Sequence, residues 1–174
     1  MKKEIRSRLK MRAIELAKEP EQKKETLTTI EIIEFTLAAE SYGIESAFVR
    51  EVYPLKDFTP LPGVPSFILG IVNVRGQILP VVDLKKFFKL PEKGLGELNK
   101  VIILRDERME YGILADMVIG TKVIYGEEVL PVPPTVTGIG EEYLKGVTKE
   151  NLIILNSEKL LSDKNIVVND FVTQ

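Results

Sequence analysis

Histidine, cysteine and tryptophan are absent from this sequence of 174 residues. Histidine is the usual general base near neutral pH, and histidine and cysteine are the usual protein ligands of transition metals. Their absence excludes a Ser-His-Asp site, a Cys-His site and a structural zinc site. No disulfide can form, and since no secretory signal is visible, we expect a cytoplasmic protein.

Other absences reduce the number of possible function classes further. No apolar run approaches the roughly 20 residues that span a bilayer, and no glycine-rich phosphate-binding motif occurs. The chain after residue 25 carries fifteen Lys or Arg against twenty-one Asp or Glu, which disfavours nucleic-acid binding by this part. The sequence therefore predicts no catalytic residue, no metal site and no cofactor, and a protein-binding module remains.

Residues 1–25 differ from the rest, with nine Lys or Arg against five Glu. Apolar residues recur there at three- and four-residue spacing: Met1, Ile5, Leu9, Ala13 and Leu16. This spacing predicts an amphipathic helix that ends before Pro20, followed by a charged linker. Such a helix could pack on its own domain, bind a partner, lie on a membrane surface or contact nucleic acid.

The central stretch is an apolar hairpin. Ile68 to Val74 and Gln77 to Leu84 are two β-type runs interrupted by Arg75-Gly76, and their near-continuous apolar character predicts that both faces are covered. Asn73 and Arg75 are the polar exceptions, either as turn residues or as contact residues. Asp83 is placed to cap a short helix from Leu84.

The two halves of the chain share a pattern. Gly43 matches Gly112, Gly70 matches Gly146 and Asp83 matches Asn156, each with similar neighbours. A repeat of about 70 residues predicts two small β-barrels, with halves at roughly 26–95 and 96–161 that share one core because each alone would bury too little surface. Residues 162–174 form a C-terminal tail.

From Thr26 to about Leu161 the sequence resembles the CheW family of chemotaxis coupling proteins. The similarity is strongest between Phe67 and Leu84, in three motifs: Gly70-Ile71, Asn73-Val74-Arg75-Gly76 and Pro80-Val81-Val82-Asp83-Leu84. Further matches lie on both sides of it: Phe35-Thr36-Leu37, Tyr42-Gly43-Ile44, Val49-Arg50-Glu51-Val52, Tyr111-Gly112-Ile113 and Tyr143-Leu144-Lys145-Gly146.

The resemblance implies a mainly β fold of two SH3-like five-stranded barrels packed together, with short helices at their ends. It implies a non-enzymatic, monomeric adaptor that joins chemoreceptor cytoplasmic tips to the regulatory domain of the histidine kinase CheA, in receptor arrays at the inner membrane. By residue-by-residue match, the partner-binding positions are Val49, Glu51, Gly70, Asn73, Arg75 and Gly76.

Two features depart from the family pattern. Asp116 to Thr121 reads Asp-Met-Val-Ile-Gly-Thr, which leaves the register of that strand open, and the N-terminal helix lies outside the minimal coupling domain. A coupling protein of a non-flagellar chemosensory pathway is therefore one alternative. A small carboxylate-dependent enzyme with Asp83 or Asp116 as its base in the cleft between the barrels is another.

Overall fold

The structure is a computed structural model that describes residues 28–92, 94–133 and 140–166. The predicted helix of residues 1–25 and most of the tail, 167–174, lie outside the described residues. The strands are β1 Thr29–Leu37, β2 Glu40–Glu45, β3 Val49–Pro54, β4 Ile68–Val74, β5 Gln77–Val82, β6 Lys100–Arg105, β7 Glu110–Ala115, β8 Met117–Tyr125, β9 Leu144–Val147 and β10 Ile153–Leu155. Two short helices, α1 Leu84–Phe87 and α2 Ser157–Ser162, follow β5 and β10.

The strands form two five-stranded sheets, which confirms the predicted mainly β class. The first sheet has the order β8-β1-β2-β10-β9, and the second has the order β3-β6-β7-β5-β4. Each sheet combines the first hairpin of one sequence half with the last three strands of the other half. The sheets therefore do not coincide with the halves 26–95 and 96–161, which remain a division of the sequence alone.

The links between strands explain this exchange. β7 and β8 are joined by Asp116 alone, which is shorter than the two-residue loop of a tight hairpin, so β8 cannot fold back beside β7. It continues onto the other sheet, where it pairs antiparallel with β1. Its register is now fixed: Gly120 lies opposite Glu34 and Val118 opposite Phe35, which leaves Ile119 as the extra residue of a β-bulge.

The repeat is reproduced by the strand pairing. β10 runs parallel to β2 with Ile154 opposite Gly43, and β5 runs parallel to β7 with Val81 opposite Gly112. The two helices are also capped alike, because the Asp83 side chain accepts from a backbone N–H of α1 and the Asn156 side chain does so for α2. The cap at Asp83 was predicted from the sequence.

The buried side chains form three clusters. Each sheet, curled on itself, forms one unit and encloses one of the two smaller clusters. The largest cluster joins the two units through residues such as Phe35 and Tyr42 of the first sheet and Ile102 and Tyr111 of the second. β6 shows why its sequence is continuously apolar: Ile102 faces the shared cluster, whereas Val101 faces the cluster inside its own unit. The shared core expected from the repeat is therefore present.

Candidate partner-binding surface

The turn between β4 and β5 is a tight two-residue turn at the end of the buried hairpin. Arg75 and Gly76 both have positive φ, 54° and 86°, which is the combination of a type I′ turn. The Asn73 Oδ1 atom accepts a hydrogen bond from the Gly76 N–H at 2.9 Å. The sequence prediction of turn chemistry at these three positions is confirmed, and the turn is fixed locally.

Arg75 projects from this turn into solvent. Its side chain is 77% exposed, and its Nε atom lies 3.7 Å from Oε1 of Glu51 on β3. Because an exposed ion pair at this separation is weak, the guanidinium remains available to a second acceptor.

This ion pair joins opposite edges of the second sheet. β3 and β4 are the outermost strands in its order, yet Glu51 and Arg75 meet, so the sheet curls until its edges approach. Val49 lies one pairing step from Glu51, opposite Leu104, and packs against the shared core. The surface at this end is therefore polar at Arg75 and apolar toward Val49.

A second polar group, not anticipated from the sequence, lies beside the turn. Arg50 occupies the bulge between Val49 and Glu51, and its Nη1 atom donates to Gln77 Oε1 at 2.7 Å and pairs with Glu110. Gln77 Nε2 donates to Glu110 Oε2 at 3.1 Å. This network ties β3, β5 and β7 together at the end where Arg75 projects.

The network also sets the charge of its members. Partial burial opposes ionisation of Glu110, but hydrogen bonds from Arg50 and Gln77 outweigh it, so the pKa of Glu110 is lowered. The hydrogen bond to Glu110 raises the pKa of Arg50. Both groups are therefore charged at neutral pH. Gln77 and Glu110 also line a shallow cleft of about 320 Å³ with charged walls, which suits polar contacts.

Gly70, unlike the turn residues, has a structural role within β4. It lies within β4, four residues before Val74 at the strand's end, which is about 13 Å from the turn at 3.3 Å per residue. A Cβ atom at this position would lie 2.3 Å from the carbonyl oxygen of Thr59, because Thr59 and Ile71 exchange two backbone hydrogen bonds of 2.9 Å there. Gly70 is required for this close approach and presents no side chain.

The structure thus brings four of the six predicted positions to one end of the second sheet: Glu51, Asn73, Arg75 and Gly76. Val49 borders them, and Gly70 lies away from them. Arg50, Gln77 and Glu110 were missed. Each is a polar residue at or near the end of a strand, which is too common a pattern to single them out.

The two carboxylates considered as possible bases have structural partners. Asp83 Oδ1 accepts from the Lys85 backbone N–H at 3.0 Å, and burial raises the pKa of Asp83 against the opposing charge of Lys85. Asp116 Oδ1 lies 2.5 Å from the Lys85 Nζ atom, and its Oδ2 accepts from the Ala38 N–H at 2.9 Å. The buried Lys85 therefore engages both acids, Asp83 through its backbone N–H and Asp116 through its Nζ atom, although Asp116 also lines an open cleft of about 360 Å³.

Within the described ranges, no group of three or more Asp or Glu residues is arranged to hold a metal ion. In the same part of the chain, no helix is both long enough and apolar enough to cross a membrane.

Comparisons with known proteins agree on one family. The sequence model of the CheW-like domain matches residues 31–165. A chemotaxis protein CheW of Treponema pallidum is 34% identical over 143 residues, covering 78% of this chain and 84% of that protein. Protein FrzA of Myxococcus xanthus is 36% identical over 124 residues, covering 68% and 77%. The crystal structure of the scaffolding protein TtCheW from Thermoanaerobacter tengcongensis superposes with a TM-score of 0.70 at 33% identity, covering 80% of this chain and 91% of that one.

Proposed function

The chain belongs to the CheW-like domain family, and we propose that it is a chemotaxis scaffold, a non-enzymatic adaptor that couples chemoreceptors to a CheA-type histidine kinase. The observation that carries this proposal is the match over residues 31–165, which spans both sheets. Relatives named as chemotaxis or scaffolding proteins, each matched over most of its length, support it.

The expected partners are the regulatory domain of the kinase and the cytoplasmic tips of methyl-accepting chemoreceptors. With these partners, the adaptor would work in the cytoplasm, at receptor arrays on the inner membrane, and would be a monomer when alone. The expected contact residues are Val49, Glu51, Asn73, Arg75 and Gly76. Gly70 would act through the shape of β4, since it has no side chain to offer.

The arrangement of charge supports an adaptor over an enzyme. Asp83 is buried, and Asp116, which lines an open cleft, already accepts from Lys85 Nζ and the Ala38 N–H, so neither carboxylate is a free base. Arg75, in contrast, is held by a locally fixed turn and exposes a planar cation with several donors. A partner's carboxylate or backbone carbonyl groups fit such a donor.

The experiment is a pull-down with the tagged full chain expressed in its source cell. The proposal expects a histidine kinase and receptor cytoplasmic domains in the same eluate, and the identity of the receptors then assigns the sensory pathway, flagellar or not. Reconstitution provides the functional arm: kinase autophosphorylation should respond to the receptor fragment when the chain is added. Recovery of neither partner, or a kinase that responds equally without the chain, contradicts the proposal.

A further inference from the structure

An exposed apolar patch follows the outer strand of the first sheet. Ile119, Val123 and Tyr125 of β8 are 53%, 59% and 45% exposed. Thr121, Val123 and Tyr125 alternate along the strand and share one face, and Ile119 protrudes at the bulge. Among the described residues, β8 has a strand neighbour on one side, β1. We call Ile119, Thr121, Val123 and Tyr125 the β8 patch.

A patch of this kind is uncommon on an edge strand. Natural proteins protect outer strands with charges, prolines or a covering segment, because exposed apolar edges promote association. The corresponding outer strand of the second sheet, β3, carries Arg50 and Glu51, whereas the single charged residue of β8, Lys122, lies between two patch residues and pairs with Glu150. The β8 patch therefore calls for a cover that the first sheet does not itself supply.

The chain enters the described fold beside this patch. Thr29 is opposite Tyr125, and the Thr28 carbonyl accepts from the Gly126 N–H at 2.7 Å. The preceding 27 residues are thus tethered at one end of β8. A helix over residues 1–18 would be about 27 Å long, β8 is about 30 Å long, and the nine residues 19–27 can span up to about 30 Å. The segment can reach the whole patch.

The chemistry of the N-terminal segment matches the patch. Its predicted apolar stripe includes Ile5, Leu9 and Leu16, and residues 1–25 carry nine Lys or Arg against five Glu. Glu31 lies opposite Val123, on the same face, and Glu127 and Glu128 follow the end of β8. Apolar side chains therefore face apolar side chains, with basic flanks near acidic neighbours.

We propose that residues 1–18 form an amphipathic helix that docks in cis along the β8 patch and covers it. The tether favours this occupant over a second copy of the chain, since a short linker gives an effective concentration of roughly millimolar. The interaction is independent of the function proposed above, and concerns the opposite sheet from Arg75.

Disulfide trapping tests the docking, because the chain contains no native cysteine. Leu9→Cys is combined with Val123→Cys in the full chain, or with Ile119→Cys to sample a second register. The matched control is Leu9→Cys with Ile78→Cys, since Ile78 is 52% exposed on the second sheet. Oxidation at low micromolar concentration is followed by mass spectrometry without reducing agent.

Docking predicts that at least one β8 pair closes within the monomer roughly tenfold faster than the Ile78 pair. Adding Ile5→Glu and Leu16→Glu to the faster β8 pair should lower its rate to that of the Ile78 pair, because the two substitutions remove the apolar contact without altering the described fold. Equal rates for the β8 and Ile78 pairs would mean a tether without docking and would overturn the proposal. Disulfide-linked dimers as the main product of the β8 pairs would also overturn it, in favour of a second copy.

Discussion

Arg75→Ala should separate partner binding from folding. The Arg75 side chain is 77% exposed, and its ionic contact, to Glu51, is long at 3.7 Å. An exposed pair of this kind contributes at most about 0.5 kcal/mol to stability. For a domain of this size, the melting temperature should then fall by no more than about 1–2 °C.

The effect on binding should be much larger. Removing a charged contact at an interface costs about 1–3 kcal/mol of binding free energy, which corresponds to roughly a 5- to 150-fold larger dissociation constant. Arg75→Lys should restore part of this loss, because it keeps the charge but not the planar fork of donors. Lys89→Ala is the matched control, since Lys89 is an exposed cation that also has a positive φ, 58°, and lies outside the candidate surface.

The assay is a calorimetric titration of each purified variant against a receptor signalling fragment and against the kinase regulatory domain. Ionic strength must be held constant, because exposed charges are screened by salt. Wild-type affinity of the Arg75→Ala variant for both partners would refute the role of Arg75 and leave it a turn residue. A loss of equal size in Lys89→Ala would refute it as well, because the effect would then reflect net charge.

Four further predictions concern the described fold. Gly76→Val should lower stability by about 1–3 kcal/mol because it forces a β-branched residue to φ 86°, and an unchanged melting curve would contradict this. Gly70→Ala should cost about 1–3 kcal/mol because its Cβ would meet the Thr59 carbonyl at 2.3 Å; denaturant titration that matches the wild type would disprove the clash. Asp83→Ala should cost about 1 kcal/mol and Asp83→Asn little, since an amide oxygen still caps α1; a functional loss in a folded Asn variant would instead reveal a role for the charge. Glu110 has a lowered pKa, so its contribution to stability is present above its ordinary pKa of 4.5 and is lost as pH falls through the lowered value. The stability advantage of wild type over Glu110→Gln, followed by melting temperature, should therefore shrink under acid, and a pH-independent difference would argue against the network.

Much of the local structure could be predicted from the sequence. Turn and cap geometry depends on residues within a few positions of each other, so Arg75-Gly76 indicated the turn and Asp83 indicated the cap before any fold was known. The continuous apolar pattern of the central hairpin indicated burial on both faces, which holds from Leu79 to Val82, whereas β4 alternates between buried and less buried residues and Ile78 is 52% exposed.

The tertiary structure decided which strands share a sheet. The two halves carry nearly the same pattern, so the first hairpin of either half can pair equally well, by sequence alone, with strands of its own half or of the other. The one-residue link at Asp116 resolves this choice, since it prevents β8 from turning back beside β7.

The polar contacts within the fold were also decided by the tertiary structure. The burial of Lys85 against Asp116 and the meeting of Arg50, Gln77 and Glu110 depend on residues 27 to 60 positions apart. The sequence by itself determined the hairpins, turns, caps and repeat, because these depend on neighbours in the chain. The exchange of strands and the polar network were decided by the tertiary structure, because they depend on which distant surfaces pack together.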